Sequence, residues 1–467
     1  MADQYRWDCM GFLGIHAIDT PHIDRLAAEG ATFSNAFTTI PLCCPARQSF
    51  LTGDTAERIG CLWNYDITLP TYSLDPSVPT WTQSLNASGY ETAYIGKWHC
   101  SKEYEPSSFG FDRYYGEQDY ADFSRTKGYE SAERVSWRGG KSRIPLTDSR
   151  THVLAHEAID AINTLTSRGS DWLLCLEFPE PHLPCYPSEP FYSRYAQESF
   201  APWTGFFDEL QDKPRMQKRQ LENWNVEDLK WDDWIPAIRS YFGIISQIDD
   251  AVGLVVNRID ELGIADDTLI IFTSDHGDMC GSHRMVDKHY VMYDDIMRVP
   301  LIMRYPNNIA PGSVYPSFVS HTLDVPRTLM DLTELPQNNN MIGISFLKWL
   351  SADETKGNSP VLQPIRDCVT GSFNGAQFGL YTQRMIRTMN HKYVWNPSDV
   401  DELYDLNEDP NEINNIIHHP SSVNVRTALA AQLYVQLKKQ DDPLMDLPWL
   451  RHQLVGESPF AQESFNA

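Results

Sequence analysis

Cys43 opens the run Cys43-Cys44-Pro45-Ala46-Arg47-Gln48-Ser49-Phe50-Leu51-Thr52-Gly53, which puts a sulfur nucleophile four residues before a permanent cation. A thiolate ligates metals and attacks carbonyl carbons. Pro45 suits the first turn of a helix and Gly53 its end, so Cys43 is expected at a helix N-terminus, where free N–H groups favour a bound anion. Further groups able to do chemistry stand in Gly96-Lys97-Trp98-His99, Pro179-Glu180-Pro181-His182, Ser274-Asp275-His276-Gly277 and the loop His283 to His289, which contains Lys288.

The elements that must position these groups show in the periodicity. The runs Thr92 to Ile95, Trp172 to Phe178 and Thr268 to Thr273 read as strands. Thr20-Pro21 opens a helix with Ile23, Leu26 and Ala27 on its apolar side, and Gly30 ends it. Strands alternating with helices predict an α/β fold, a sheet covered by helices. In open α/β sheets ligands gather beyond the carboxyl ends of the strands. The chemical groups follow three such ends, which predicts one shared pocket.

Composition bounds the rest. A chain of 467 residues is expected to form about two to four domains. A net charge of -25 excludes a basic nucleic-acid footprint, so an anionic ligand needs a local basic pocket. No apolar run approaches the roughly 20 residues that span a bilayer, and no signal segment is seen. Nine scattered cysteines form no evident disulfide framework, so the expected setting is cytoplasmic, or periplasmic or secreted if the N-terminus is truncated. Residues 186–235 are rich in aromatics, among them Trp203, Phe206, Phe207, Trp224, Trp231 and Trp234. They form either a lid that stacks on sugar rings or a helical excursion packed on the domain. A polar stretch at 351–359 reads as a linker, dividing the chain into a catalytic domain, 1–350, and a smaller C-terminal domain, 360–467.

The run from Cys43 to Gly53 fits C-x-P-x-R-x-x-x-L-T-G and resembles the signature of type I sulfatases. The segment Asp401-Glu402-Leu403-Tyr404-Asp405-Leu406-Asn407-Glu408-Asp409-Pro410 resembles one in the small C-terminal domain of many sulfatases. The resemblance covers nearly the whole chain. It implies an alkaline phosphatase-like fold with a large mixed sheet between helices and a C-terminal α+β domain. It further implies that a maturation enzyme converts Cys43 to formylglycine, whose hydrate attacks a sulfate ester, and that one divalent metal takes part, Ca²⁺ before Mn²⁺. Asp3-Gln4 and Asp275-His276 look like the two halves of the metal site, with Cys43 between them. Arg47, Lys97 and Lys288 match the family's basic residues. His99 would accept a proton from the hydrate, and His182 would donate a hydrogen bond to the bridging ester oxygen. Trp98 and His283 are candidates for substrate contact, with His289 beside them.

The implied substrate is a small-molecule or oligosaccharide sulfate ester. A phosphonate monoester or phosphodiester hydrolase with the same residues is the nearest alternative, and a non-catalytic binding protein on this scaffold is a further one. Members of the family carry an apolar strand before the residue matching Asp3, where this sequence has only Met1-Ala2. A truncated start or a missing strand is therefore expected.

Overall fold

The computed structural model describes residues 1–65, 73–129, 136–336, 340–350 and 363–457. The expected linker at 351–359 lies outside them. The strands are β1 (Ala2–Asp3), β2 (Ala31–Phe37), β3 (Glu91–Gly96), β4 (Arg113–Tyr115), β5 (Trp172–Pro181), β6 (Ile270–Thr273), β7 (Leu301–Arg304), β8 (Ser313–Ser320), β9 (Cys368–Ala376), β10 (Gly379–Thr388), β11 (His391–Trp395) and β12 (Glu402–Asp405). The helices that matter here are α1 (Pro21–Glu29), α2 (Cys43–Thr52), α3 (Trp81–Ala87), α4 (Arg150–Arg168), α5 (Trp231–Glu261), α6 (His321–Leu332) and α7 (Val423–Lys439).

Two four-stranded sheets, β1-β5-β3-β4 and β6-β7-β2-β8, meet through a parallel bridge between Ala2 and Ser274. The strands β1, β5, β3 and β4 run parallel, whereas β7 is antiparallel to both β2 and β6. The fold is thus the mixed α/β sheet expected from the sequence. On β5 successive side chains alternate between two layers, as the pleat requires. Leu174, Leu176 and Phe178 pack into the core containing α4 and α5 residues, while Leu173 and Cys175 join the clusters containing Leu51 and Phe50 of α2 and Trp81 of α3.

The N-terminal strand is two residues long, yet Asp3 is fully buried and anchored. Ser274 Oγ donates to Ala2 O at 2.8 Å and accepts from Tyr5 N at 2.9 Å, stitching the start of the chain to the end of β6. On the other side Met1 donates to Leu176 O at 2.7 Å and Phe178 N donates to Met1 O at 2.9 Å. Beyond Met1, β5 and β6 part around a cavity of about 530 Å³ lined by Leu174, Leu176, Ile270 and Phe272. Ala2–Asp3 pairs with β5 and buries the Asp3 carboxylate.

The aromatic-rich stretch packs on the domain and does not form a lid. Trp203, Phe206 and Trp234 are buried in the main core, and Phe207 is the exposed one of the group at 68%. Trp203 Nε1 donates to Cys280 O at 2.6 Å, tying the stretch to the loop after β6. The antiparallel sheet β12-β11-β10-β9 and α7 enclose their own core, with Ile386, Tyr393, Leu403 and Leu433 at its centre. Its β9–β10 turn docks on the loop carrying Lys288, where Tyr290 Oη accepts from Phe378 N at 2.8 Å and donates to Gly379 O at 3.0 Å.

One buried carboxylate ties α1 to α5. Asp249 accepts from the first backbone donors of α1, His22 N at 3.0 Å and Ile23 N at 2.7 Å. Burial, against those two donors, pushes its carboxyl up to about 7. A carboxyl raised above its unfolded value favours the folded state when protonated, so this contribution is present in acid and is lost as pH rises from about 4 to about 7. In Asp249→Asn it is absent. Between about pH 5 and about pH 8 the variant should gain on the wild type by on the order of 3 kcal/mol, read from urea unfolding at the two pH values.

Candidate active site

Cys43 is the first residue of α2, after extended Leu42, and Gly53 closes the helix in the left-handed region at φ 68° with its N–H on Ser49 O. The carboxyl ends of β1, β3, β5 and β6 bring the other groups to it. Ligand atoms of Asp3, Cys43, Asp275 and His276 all lie within 4.8 Å of one another, and all four residues are buried. Cys43 Sγ is 3.2 Å from His276 Nε2 and 3.6 Å from Asp3 Oδ1. His276 Nδ1 is 2.9 Å from Gly277 O, an acceptor only, so Nδ1 carries a proton and Nε2 faces the cluster.

Two carboxylates and an inward imidazole nitrogen, whose Nε2 proton a divalent ion would displace, fit such a cation. The electrostatics agree, because the cluster draws positive charge. Burial by itself would lower His276, yet Asp275 and Cys43 raise it to about 9. Burial and Cys43 push Asp3 up, and Lys97, His182 and Arg47 reverse this to leave it at about 2. Burial likewise raises the Cys43 thiol, but Lys288, Lys97, His276 and His182 bring it well below the ordinary thiol range.

Gln4 meets Asp275 through its backbone and a set of polar groups through its side chain. Its backbone N–H donates to Asp275 Oδ1 at 3.0 Å, but its carboxamide belongs to a neighbouring ring of polar groups. Nε2 donates to Asp278 Oδ2 and, at 2.8 Å, to Asp287 Oδ1, while Oε1 accepts from Lys288 Nζ at 2.7 Å. Two carboxylates on one side and an ammonium on the other fix which end of the amide is nitrogen. With its oxygen on Lys288, Gln4 orients that lysine.

Basic residues gather around this cluster. Lys97 Nζ pairs with Asp3. Lys288 Nζ lies 2.8 Å from His182 Nε2, and His182 Nδ1 lies 2.8 Å from Leu183 O. That carbonyl needs the Nδ1 proton, so Nε2 accepts from Lys288 and the two residues share one proton. Arg47 donates from Nε to Asp275 Oδ2 at 3.0 Å and from Nη1 to Glu177 Oε2 at 2.9 Å. His99 stands at the end of β3, two residues after Lys97, with φ 47° and a buried Nδ1 that has no partner among the described residues.

Two expected substrate contacts lie elsewhere. Trp98 is buried among Tyr94, Phe109 and Phe111, with Nε1 donating to Tyr104 O at 2.9 Å. His283 stacks on Tyr293 at 3.8 Å and holds Asp208 at 2.6 Å, inside the core where the aromatic-rich stretch packs. Both are large enough to be worth more as packing than as rim. His289 is bound through Nε2 to Asp287 Oδ2 at 3.0 Å. The sequence reading missed Glu177, Asp278 and Asp287. A signal existed for the first, since a single carboxylate inside the apolar run Trp172 to Phe178 needs a buried cation.

Comparison with known proteins gives the family. The sulfatase family model matches residues 1–335, and the model for the C-terminal part of N-sulphoglucosamine sulphohydrolase matches residues 281–440. The chain is 28% identical to the uncharacterized sulfatase YidJ of Escherichia coli, over 96% of this chain and 88% of that protein. It is 25% identical to the N-acetylglucosamine-6-O-sulfatase of Bacteroides thetaiotaomicron, over 89% and 81%. The crystal structure of the phosphonate monoester hydrolase of Agrobacterium radiobacter superposes with a TM-score of 0.79 at 23% identity, covering 94% of each chain, which shows the shared fold. With its signature at the start of α2 and the family pattern matched over most of its length, the chain belongs to the sulfatase family and is a sulfuric ester hydrolase.

Proposed function

We propose that this sulfatase acts on a sulfated carbohydrate, with a formylglycine made from Cys43 by a maturation enzyme as its nucleophile. The observation that carries the reading is the convergence of Asp3, Cys43, Asp275 and His276 at the N-terminus of α2, ringed by Arg47, Lys97 and Lys288. The likeness to an N-acetylglucosamine-6-O-sulfatase supports a sugar as the alcohol. A divalent cation held by Asp3, Asp275 and His276, with Ca²⁺ the first expectation and Mn²⁺ the second, would offset charge on the reacting oxygens.

One hydroxyl of the hydrated residue 43 passes its proton to the facing Asp3 carboxylate, whose Oδ1 lies 3.6 Å from Sγ, and its oxygen bonds to sulfur while the bond from sulfur to the sugar oxygen breaks. The proton shared by Lys288 and His182 meets the leaving oxygen. Lys97 faces the sulfate oxygens and Arg47 holds the hydrate of residue 43, where fixed cations in a dry site stabilise developing charge. The second hydroxyl then loses its proton to His99, the carbonyl re-forms, and inorganic sulfate leaves.

Mass spectrometry of the peptide containing residue 43, on protein made in a host with the maturation enzyme, is expected to show an aldehyde in place of the thiol. The same protein should release sulfate from sulfated N-acetylglucosamine and turn over an aryl sulfate faster than an aryl phosphonate ester. An unmodified thiol would remove the nucleophile from the scheme, and preference for the phosphonate would reassign the substrate.

A further inference from the structure

Arg47 has five N–H groups and the structure shows what occupies most of them. Nε is on Asp275 Oδ2 at 3.0 Å, and Nη1 is on Glu177 Oε2 at 2.9 Å and Lys97 O at 3.3 Å. Nη2 is buried with no hydrogen-bond partner among the described residues, and Asp3 Oδ2 lies 3.7 Å from it. A buried guanidinium nitrogen left unpaired is rare, so its position is held by the groups on the other two nitrogens.

Glu177 is the group that does this without belonging to the metal cluster. It is 6% exposed and sits on β5, one strand from Lys97. Its backbone oxygen accepts from Lys97 N at 2.9 Å. The two strands approach so closely there that a Cβ on Gly96, at φ 113°, would stand 2.0 Å from Glu177 O. One residue therefore fixes Arg47 through its side chain and Lys97 through its main chain.

We propose that Glu177 is a positioning residue for the reaction: by engaging Nη1 it keeps Arg47 from closing onto Asp3 and Asp275, and so leaves Nη2 for the oxygen on residue 43 and the two carboxylates for a cation. An unrestrained guanidinium beside two carboxylates takes the bidentate pairing that its planar fork favours. In that arrangement Arg47 competes with a divalent ion for the same oxygens. The inference rests on the reading of residue 43 and the cation given above.

The test compares Glu177→Ala with Glu177→Gln, which keeps an oxygen acceptor for Nη1. Turnover of an aryl sulfate and calorimetric Ca²⁺ binding to metal-stripped protein are measured for both. Glu177→Ala should lower kcat about 100-fold with KM within about threefold, as small displacements of a catalytic group do. It should also weaken Ca²⁺ binding about tenfold, the usual cost of losing a residue that orients ligands. Glu177→Gln should recover kcat to within about fivefold of the wild type by keeping that hydrogen bond.

Equal losses in both variants, or unchanged Ca²⁺ affinity in Glu177→Ala, would overturn the proposal. If Glu177→Ala does not fold, Glu177→Asp replaces it, since the shorter side chain keeps the charge but withdraws from Nη1. Calorimetry is read whether or not the ester is a sulfate. A wild type that binds Ca²⁺ but prefers another ester therefore fails the substrate reading alone.

Discussion

The Cys43→Ser protein is expected to react once and stop. A serine at the start of α2 offers one hydroxyl, which can take sulfate from the substrate, but no second hydroxyl from which to re-form a carbonyl and expel it. Steady turnover should fall by at least about 1,000-fold. Intact-mass measurement after incubation with substrate should show an adduct of the mass of SO₃ on the peptide containing residue 43. Stability should be nearly unchanged. The position is the first of the helix, and among its sulfur contacts are His276 Nε2 at 3.2 Å and Asp3 Oδ1 at 3.6 Å. Multiple turnovers without an adduct would end the covalent scheme. Loss of turnover with no adduct would mean that attack on sulfur itself needs the hydrate.

Asp275 should be the most sensitive position in the site for both activity and folding. Its two oxygens accept from Gln4 N at 3.0 Å, His276 N at 2.9 Å and Arg47 Nε at 3.0 Å. Asp275→Ala removes one carboxylate of the cluster and strips Arg47 of a partner in a site where its guanidinium is 1% exposed. Breaking a buried pair in this way costs about 3–5 kcal/mol. Asp275→Asn keeps the shape and an acceptor while losing the charge, so it should fold more nearly as the wild type does. Both should lose at least about 100-fold in divalent-ion affinity, since a ligand and not a supporting residue is removed. Thermal unfolding with and without Ca²⁺ separates the effects. The wild type should gain stability from the ion and Asp275→Asn should not. A variant that still gains as much would place the cation elsewhere.

These expectations start from different depths of the sequence. The helix at Cys43 was legible because Pro45 and Gly53 punctuate it locally, and the strands ending near Lys97, His182 and Asp275 were legible because buried strands are continuous apolar runs. The same locality explains what was misread. Trp98 stands in one short segment with Lys97 and His99 yet points into the cluster of Tyr94, Phe109 and Phe111, because alternate side chains leave a strand end on opposite faces. His283 lies in the loop with Lys288, but the left-handed residues Cys280, His283, Arg284 and Asp287 turn that loop several times. No local pattern records those turns.

What the sequence by itself determined is the reaction class and the main chemical groups, because the signature from Cys43 to Gly53 and the strand-end residues are contiguous segments whose types carry their chemistry with them. What only the tertiary structure decided is how those groups divide the labour. The Gln4 carboxamide is held by Asp278, Asp287 and Lys288, which are 274, 283 and 284 residues away in the chain. Glu177 is joined to Arg47 across 130 residues. The physical reason is that a buried polar group must find partners wherever the packed sheet brings them, and sequence neighbours do not reveal which those are.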